Sequence, residues 1–307
     1  MSTPHAPAQK GDIDLIGYAL AILGAMCFSS KGIFVKFGLL AGASAEQMLA
    51  LRMMVALPVY LTIGIFLLST GRVDRSTLTP ATITQIILIG ALGYFLASYL
   101  DFEALNYISV QYGRLLLFTY PFFTIFLGAM FFGDKFNPKI LLPLTVSYLG
   151  IATLFAWNLQ VDPAGIVQGT LLVLGAALAF ALYQLLAKRR INLIGSLMFT
   201  CIGMSSAAVV AIGHAGLRGE LVASAFNQQV IVNGIALGLI ATVLPSFMLN
   251  EAIGRVGPRV TSTMGTLGPI VTIVLAIALL GEPFTLYHAI GTALVISGAF
   301  WFGKLNR

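Results

Sequence analysis

Charge is what this sequence has least of. Asp, Glu, Lys and Arg make up 9% of its 307 residues, against 58% hydrophobic residues and a mean hydropathy of +0.95. A water-soluble domain carries about 25% charged residues, so this chain cannot dress a soluble surface. Cysteine is nearly missing as well. Cys27 and Cys201 each sit inside an apolar run, with no CxxC spacing and no neighbouring His. Disulfide frameworks and thiolate metal sites are thereby excluded, and both residues are expected to be small packing residues. The histidines are His5, His214 and His288, and none has a catalytic partner in the pattern around it. There is no GxxxxGK[ST] segment for ATP phosphates, no HExxH, no GxSxG and no carboxylate group at metal spacing. The sequence therefore predicts no enzyme, no resident cofactor and no metal.

What is present is length of apolar chain. A membrane-crossing helix needs about 20 apolar residues, and the sequence divides into ten such runs: Leu15–Leu39, Glu46–Ser69, Ala81–Leu105, Ser109–Phe132, Pro138–Ala156, Gly165–Ala187, Leu193–Gly213, Gln228–Asn250, Val260–Leu280 and Phe284–Phe302. None alternates with the period of two that a barrel strand requires, so all-α spans are expected. With the amino terminus in the cytoplasm, the cytoplasmic segments hold Lys10, Arg72, Arg75, Lys135, Lys139, Lys188, Arg189, Arg190, Arg255, Arg259, Lys304 and Arg307, and the outer loops hold Arg218 alone. This bias predicts both termini cytoplasmic. It also accounts for the net charge of +6 without any nucleic-acid partner. Residues 1–14 are polar and rich in Ala and Pro and are expected to be a disordered tail, followed by a first span too long for a signal peptide.

The chain also repeats itself. Glu103-Ala104-Leu105, Pro121, Thr124-Ile125, Gly133-Asp134-Lys135-Phe136 and Gly150 recur without a gap, 148 residues on, as Glu251-Ala252-Ile253, Pro269, Thr272-Ile273, Gly281-Glu282-Pro283-Phe284 and Gly298. A weaker match at an offset of 152 relates Gly17, Phe28 and Lys36 to Gly169, Phe180 and Lys188. The halves are 15–157 and 165–303. Five spans in each half invert the second copy across the bilayer, and inverted repeats mark secondary transporters whose site lies between the halves.

Against this background the polar residues inside spans stand out. Lys31 lies roughly 24 Å along the first span at 1.5 Å per residue. That is a costly depth, which makes it a functional candidate unless it snorkels to the outer headgroups; for Lys36 snorkelling is favoured. Arg52 is expected to pair with Glu46 or a carboxylate of the third span, or to anchor structurally. Tyr94, Ser98 and Asp101 share one helix face. The tight hairpin at Asn106–Ser109 brings Asp101 or Glu103 near Arg114, so a structural or gating ion pair is expected there. Pro121, Pro245 and Pro269 are expected to kink their spans.

Ten spans in two halves, each with an Ala-Leu/Ile, Pro, Gly-acid block, resemble the EamA-type carriers of the drug/metabolite transporter superfamily. Gly133-Asp134 departs mildly from the family's Gly-Glu. Among these carriers the chain looks most like the aromatic amino acid exporters. The resemblance implies a central cavity, lined by Lys31 with Ser29 and Ser30 for a carboxylate or other polar group. Tyr94, Tyr99 and Tyr183 would offer stacking faces and hydroxyls, and Ser98, Gln184 and Ser246 hydrogen bonds. Its net charge would be modest and suited to zwitterions. The expected function is export of small metabolites, amino acids foremost, across the inner (plasma) membrane. The partners would be the solute and the lipid bilayer, in a monomer or a homodimer. A multidrug or nucleobase exporter is the alternative within transport, and a channel or non-transporting membrane protein the alternative outside it.

Overall fold

The computed structural model describes residues 14–133, 138–161, 163–222, 226–265 and 267–305, without the side chains of 250, 253, 254, 257–260, 262–265, 302, 303 and 305. Regular structure among the described residues is entirely helical. In hydrocarbon every backbone N–H and C=O must be satisfied within the protein, and a helix does this in one segment. Among the described residues eight helical stretches are long and apolar enough to cross a membrane: Leu15–Leu40, Ala45–Ser69, Pro80–Ala104, Val110–Phe131, Pro138–Val161, Ile166–Ile194, Ser196–Leu217 and Gln228–Leu249. Shorter apolar helices, Gly268–Leu280 and Leu286–Trp301, follow. Large apolar side chains such as Ile65, Phe126, Met130, Leu171 and Val209 stay exposed, as they would against lipid. The tail expected at 1–14 lies outside the described residues except for Asp14, whose carboxylate accepts from the Gly17 N–H at 2.9 Å and caps the first helix.

Several spans are interrupted, two of them with a local cause. The first divides into α1 (Leu15–Ser29) and α2 (Lys31–Leu40). The Ser29 and Ser30 hydroxyls donate to the Ala25 and Cys27 carbonyls, both at 2.6 Å, and such back-bonding bends helices. α3 (Ala45–Ser69) opens with a complete capping box between Ser44 and Gln47. α4 (Pro80–Gly90) and α5 (Ala97–Ala104) are joined by a π-helical segment, Ala91–Leu96. The fourth span breaks into α6 (Val110–Leu117) and α7 (Tyr120–Phe131). Pro121 sits in the first turn of α7, where its missing N–H costs nothing, so the proline starts a new helix where the sequence predicts a kink.

The chain continues through α8 (Leu141–Val161), α9 (Ile166–Ile194), α10 (Ser196–Leu217) and α11 (Gln228–Gly238). A second π segment, Leu239–Val243, leads into α12 (Leu244–Gly265), followed by α13 (Gly268–Leu280), with Pro269 in its first turn, and α14 (Leu286–Leu305). Helix α12 runs through 251–259, where the sequence predicts a cytoplasmic connector. Of the Gly133–Phe136 turn only Gly133 is described.

Packing follows the sequence offset. The π segments begin at Ala91 and Leu239, 148 residues apart. A Cβ on Gly90 would stand 2.5 Å from the Gly203 carbonyl oxygen, and one on Gly238 would stand 2.7 Å from the Val55 Cβ. Adding 148 to 90 gives 238 and subtracting 148 from 203 gives 55, so the offset exchanges the two contacts. A Cβ on Gly150 would stand 2.6 Å from the Gly291 carbonyl oxygen and one on Gly298 2.6 Å from that of Pro143, which makes another such pair. The Ser147 hydroxyl donates to the carbonyl of Val295, its own counterpart, at 3.3 Å. Small residues at these crossings let helix backbones approach closely.

Candidate functional site

The break at Ser30 makes Lys31 the first residue of α2. Its ammonium is buried and lies 2.6 Å from Asp101 Oδ2 on α5. It also sits 5.6 Å from the Phe102 ring centroid and 5.9 Å from that of Phe28. The ion pair predicted across the hairpin is therefore corrected. Asp101 takes Lys31 as its partner, Glu103 accepts from Tyr107 at 3.5 Å in the turn that follows α5, and Arg114 pairs with neither. A side chain's rotation about its helix decides this, and a span that is apolar on every side leaves that rotation unmarked in sequence.

Arg52, buried on α3, corrects a second expectation. Its donors go to hydroxyls, Nε to Thr242 Oγ1 at 2.9 Å and Nη1 to Ser98 Oγ at 3.0 Å, and its guanidinium lies 5.7 Å from the Phe102 centroid. Thr242 comes from the second π segment and hands its own proton to the Leu237 carbonyl at 2.8 Å. Arg52 thus joins Ser98 of the first half to Thr242 of the second. Nothing in the apolar pattern marks Thr242 as that acceptor. Arg114, buried on α6, completes the cluster. Its Nη2 lies 3.8 Å from the position of a Cβ on Gly32, beside Lys31, and Lys31, Arg114 and Arg52 all act electrostatically on Asp101.

The remaining predicted residues fall into separate groups. Ser29 and Ser30 use their hydroxyls on their own helix, and the Ser29 carbonyl accepts from Thr272 at 2.9 Å. Tyr183 donates to the Tyr94 hydroxyl at 2.7 Å. Their rings belong to a ladder in which Tyr120 meets Phe180 edge-on at 5.1 Å and Phe180 stacks on Tyr183 at 5.7 Å. Gln184 is within 3.5 Å of the Thr124 hydroxyl. Ser246 pairs with the Tyr60 hydroxyl at 2.9 Å. Tyr99 joins the loop end of the bundle, donating to Glu46 at 3.3 Å and packing on Phe95 and His214. Lys36 donates to the Leu105 carbonyl at 2.6 Å in place of reaching for headgroups.

Polar contacts close that loop end. Ser44 and Gln47 donate to Glu220, at 2.9 and 3.1 Å, and Arg218 lies 3.6 Å from Glu46. Asn227 donates to the Ala41 carbonyl at 2.8 Å. Glu282 accepts from the Val110 and Gln111 N–H groups at 2.7 and 3.0 Å, capping α6 from the far half of the chain. The repeat marks Glu282 as a turn residue, but its role as a cap for another helix has no signal in sequence.

Comparison with known proteins decides the family. The sequence profile described as "EamA-like transporter family" matches residues 15–156 and again 167–303. The chain belongs to the EamA-like transporter family. Among its relatives, "Uncharacterized transporter YcbK" of Bacillus subtilis (strain 168) is 25% identical over 90% of this chain and 88% of its own. "Probable amino-acid metabolite efflux pump" of Escherichia coli (strain K12) is 24% identical over 68% and 74%. A solved structure, described only as the crystal structure of a protein, aligns with a TM-score of 0.62 over 94% of this chain and 98% of the other at 17% identity, which establishes likeness of fold. This EamA-type chain is accordingly a multi-pass membrane transporter of small molecules and not an enzyme.

Proposed function

We propose that this transporter exports small metabolites, amino acids foremost, by alternating access between two inverted five-span repeats, 15–157 and 165–303. Both termini would be cytoplasmic, the membrane would be the inner (plasma) membrane, and the protein would act as a monomer. The ten-span arrangement is supported by the double family match, by π segments 148 residues apart and by glycine contacts that the same offset exchanges. The name of the E. coli relative supports amino-acid metabolites as solutes. The aromatic ladder from Tyr120 to Tyr94 supports aromatic ones.

One observation carries the reading. Arg52 is buried and held between Ser98 of one half and Thr242 of the other. A charge inside the membrane is expensive and marks a solute or ion path. Placed where the halves meet, it feels any rocking of one against the other. Lys31, Ser98, Tyr94 and Tyr183 would then face the solute or hold the groups that do.

The test is uptake into liposomes carrying the purified protein, with labelled phenylalanine, tryptophan, threonine and a cationic dye, for the wild type and Lys31→Ala. Saturable amino-acid uptake that falls in the variant is the expected result. Dye uptake without amino-acid uptake would overturn the substrate class. Equal amino-acid uptake by both proteins would keep the function and remove Lys31 from the site.

A further inference from the structure

The buried charges do not balance. Lys31, Arg52, Arg114 and Asp101 are each at least nine-tenths buried and cluster around Asp101, three cations against one carboxylate. Two of the cations have partners, Lys31 the carboxylate and Arg52 two hydroxyls. Arg114 is different. Its Nε is enclosed without a hydrogen-bond partner, and no carboxylate pairs with it among the described residues. Gln111 Oε1 one turn before it and Thr119 Oγ1 beyond it are also buried without partners, so three of the four such atoms among the described residues lie along one stretch of chain, the fourth being Glu46 Oε2 on α3. Buried polar atoms without partners call for an explanation, and a missing ligand is one. An unpaired guanidinium, planar and forked, is matched to a carboxylate or phosphate.

A zwitterion entering this cluster leaves the excess of positive charge as it was, whereas an anion reduces it. We propose that, among the small metabolites it exports, the preferred solute is an organic anion, and that its carboxylate or phosphate is received by the Arg114 guanidinium beside Gly32, within the field of Lys31 and Arg52. This rests on reading the buried cluster as the solute site. It departs from the modest cavity charge that sequence suggests, because sequence pairs Arg114 with the hairpin carboxylates and the structure gives Asp101 to Lys31.

The experiment uses the full chain in detergent and in liposomes. Thermal stabilisation is titrated with N-acetylphenylalanine, its neutral amide, phenylalanine, succinate and phenyl phosphate, and counterflow is followed with labelled N-acetylphenylalanine and labelled phenylalanine. Anions are expected to half-saturate at concentrations at least about tenfold below the amide and phenylalanine. The two carboxylates against phenyl phosphate distinguish the anion type. In Arg114→Gln the acid and its amide should become equal, while Arg114→Lys keeps part of the preference. Equal binding of acid and amide by the wild type overturns the proposal even where neither variant folds. So does an unchanged preference in Arg114→Gln. Counterflow of phenylalanine but not of N-acetylphenylalanine sinks the anion while leaving amino-acid export standing. Absence of both binding and counterflow for every probe removes the transport reading too.

Discussion

The two halves of the chain share a backbone plan but not a chemistry. Gly90 and Gly238 make counterpart contacts, Ala91 and Leu239 open counterpart π segments, and Pro121 and Pro269 start counterpart helices. At the first-span offset of 152 the buried Lys31 corresponds to Tyr183, and at the offset of 148 Arg52, Asp101 and Arg114 correspond to Thr200, Leu249 and Ser262. All four charges lie in the first half, and the second supplies hydroxyls and helix caps: Thr242 to Arg52, Thr272 to the Ser29 carbonyl, Glu282 to α6. Glycine and proline are held by backbone geometry, which the two halves have in common. Under the proposed function the charges answer to the solute, which needs a binding group on one side and only a wall on the other. The π segments show the same division. The second is followed by Pro245 and the first by Ala97 at the matching place, so proline is not what widens the turn.

The ion pair is where this asymmetry should cost most. Asp101→Asn leaves Lys31 buried without its counter-charge, an effect expected to be about 3–5 kcal/mol. The double variant Lys31→Met with Asp101→Leu, which makes the first half resemble Leu249 of the second, should recover most of that loss. The midpoint of unfolding in detergent measures both. A loss below about 1 kcal/mol in Asp101→Asn would mean that water reaches the pair and that the first half carries no special burden.

Next in size is a test of the shared plan. Gly90→Ala drives a methyl into the Gly203 carbonyl oxygen, and overpacking of this kind costs about 1–3 kcal/mol. On the other side of the same crossing, Gly203→Ala meets only the edge of the Tyr94 ring at 3.3 Å, which a small ring movement relieves. The first should lower the unfolding midpoint clearly and the second by less than about 1 kcal/mol. Equal losses would show that the crossing depends on two glycines and not on one.

Much of the helical plan is legible in sequence, because span length and the repeated turn blocks depend on the chain alone. The depth of Lys31 follows from counting residues. Its partner does not. α1 and α3 carry apolar residues all round, so no stripe reveals which face meets α5, and proximity in sequence favours the hairpin residue Arg114 over Lys31, 70 positions from Asp101. Arg52's acceptor Thr242 lies 190 positions away, and the carboxylate on the Val110 N–H 172. Such partners depend on how helices pack, which local pattern does not encode. The break at Ser30 is intermediate, since two adjacent serines can bend a helix but need not.

The Glu282 cap gives a smaller, graded effect. Glu282→Ala leaves two N–H groups at the start of α6 without their acceptor and should cost about 1–2 kcal/mol. Glu282→Asp, which copies the Gly-Asp of the first half, is one methylene shorter and should fall between alanine and wild type. A variant with aspartate as stable as wild type would mean that the cap tolerates either acid and that the two turns are interchangeable.

The smallest expected change has the opposite sign. Gly213 lies inside α10 with no atom beyond its own stretch of helix backbone within 4 Å of where its Cβ would be, and its counterpart 148 residues earlier is Ile65, an exposed apolar side chain. No contact holds glycine there, and alanine is favoured in a helix by up to about 1 kcal/mol. Gly213→Ala should therefore raise the unfolding midpoint slightly and leave uptake unchanged. Should uptake fall while stability rises, glycine at 213 serves movement and not packing. The second half would then contribute flexibility to the cycle as well as a wall to the site.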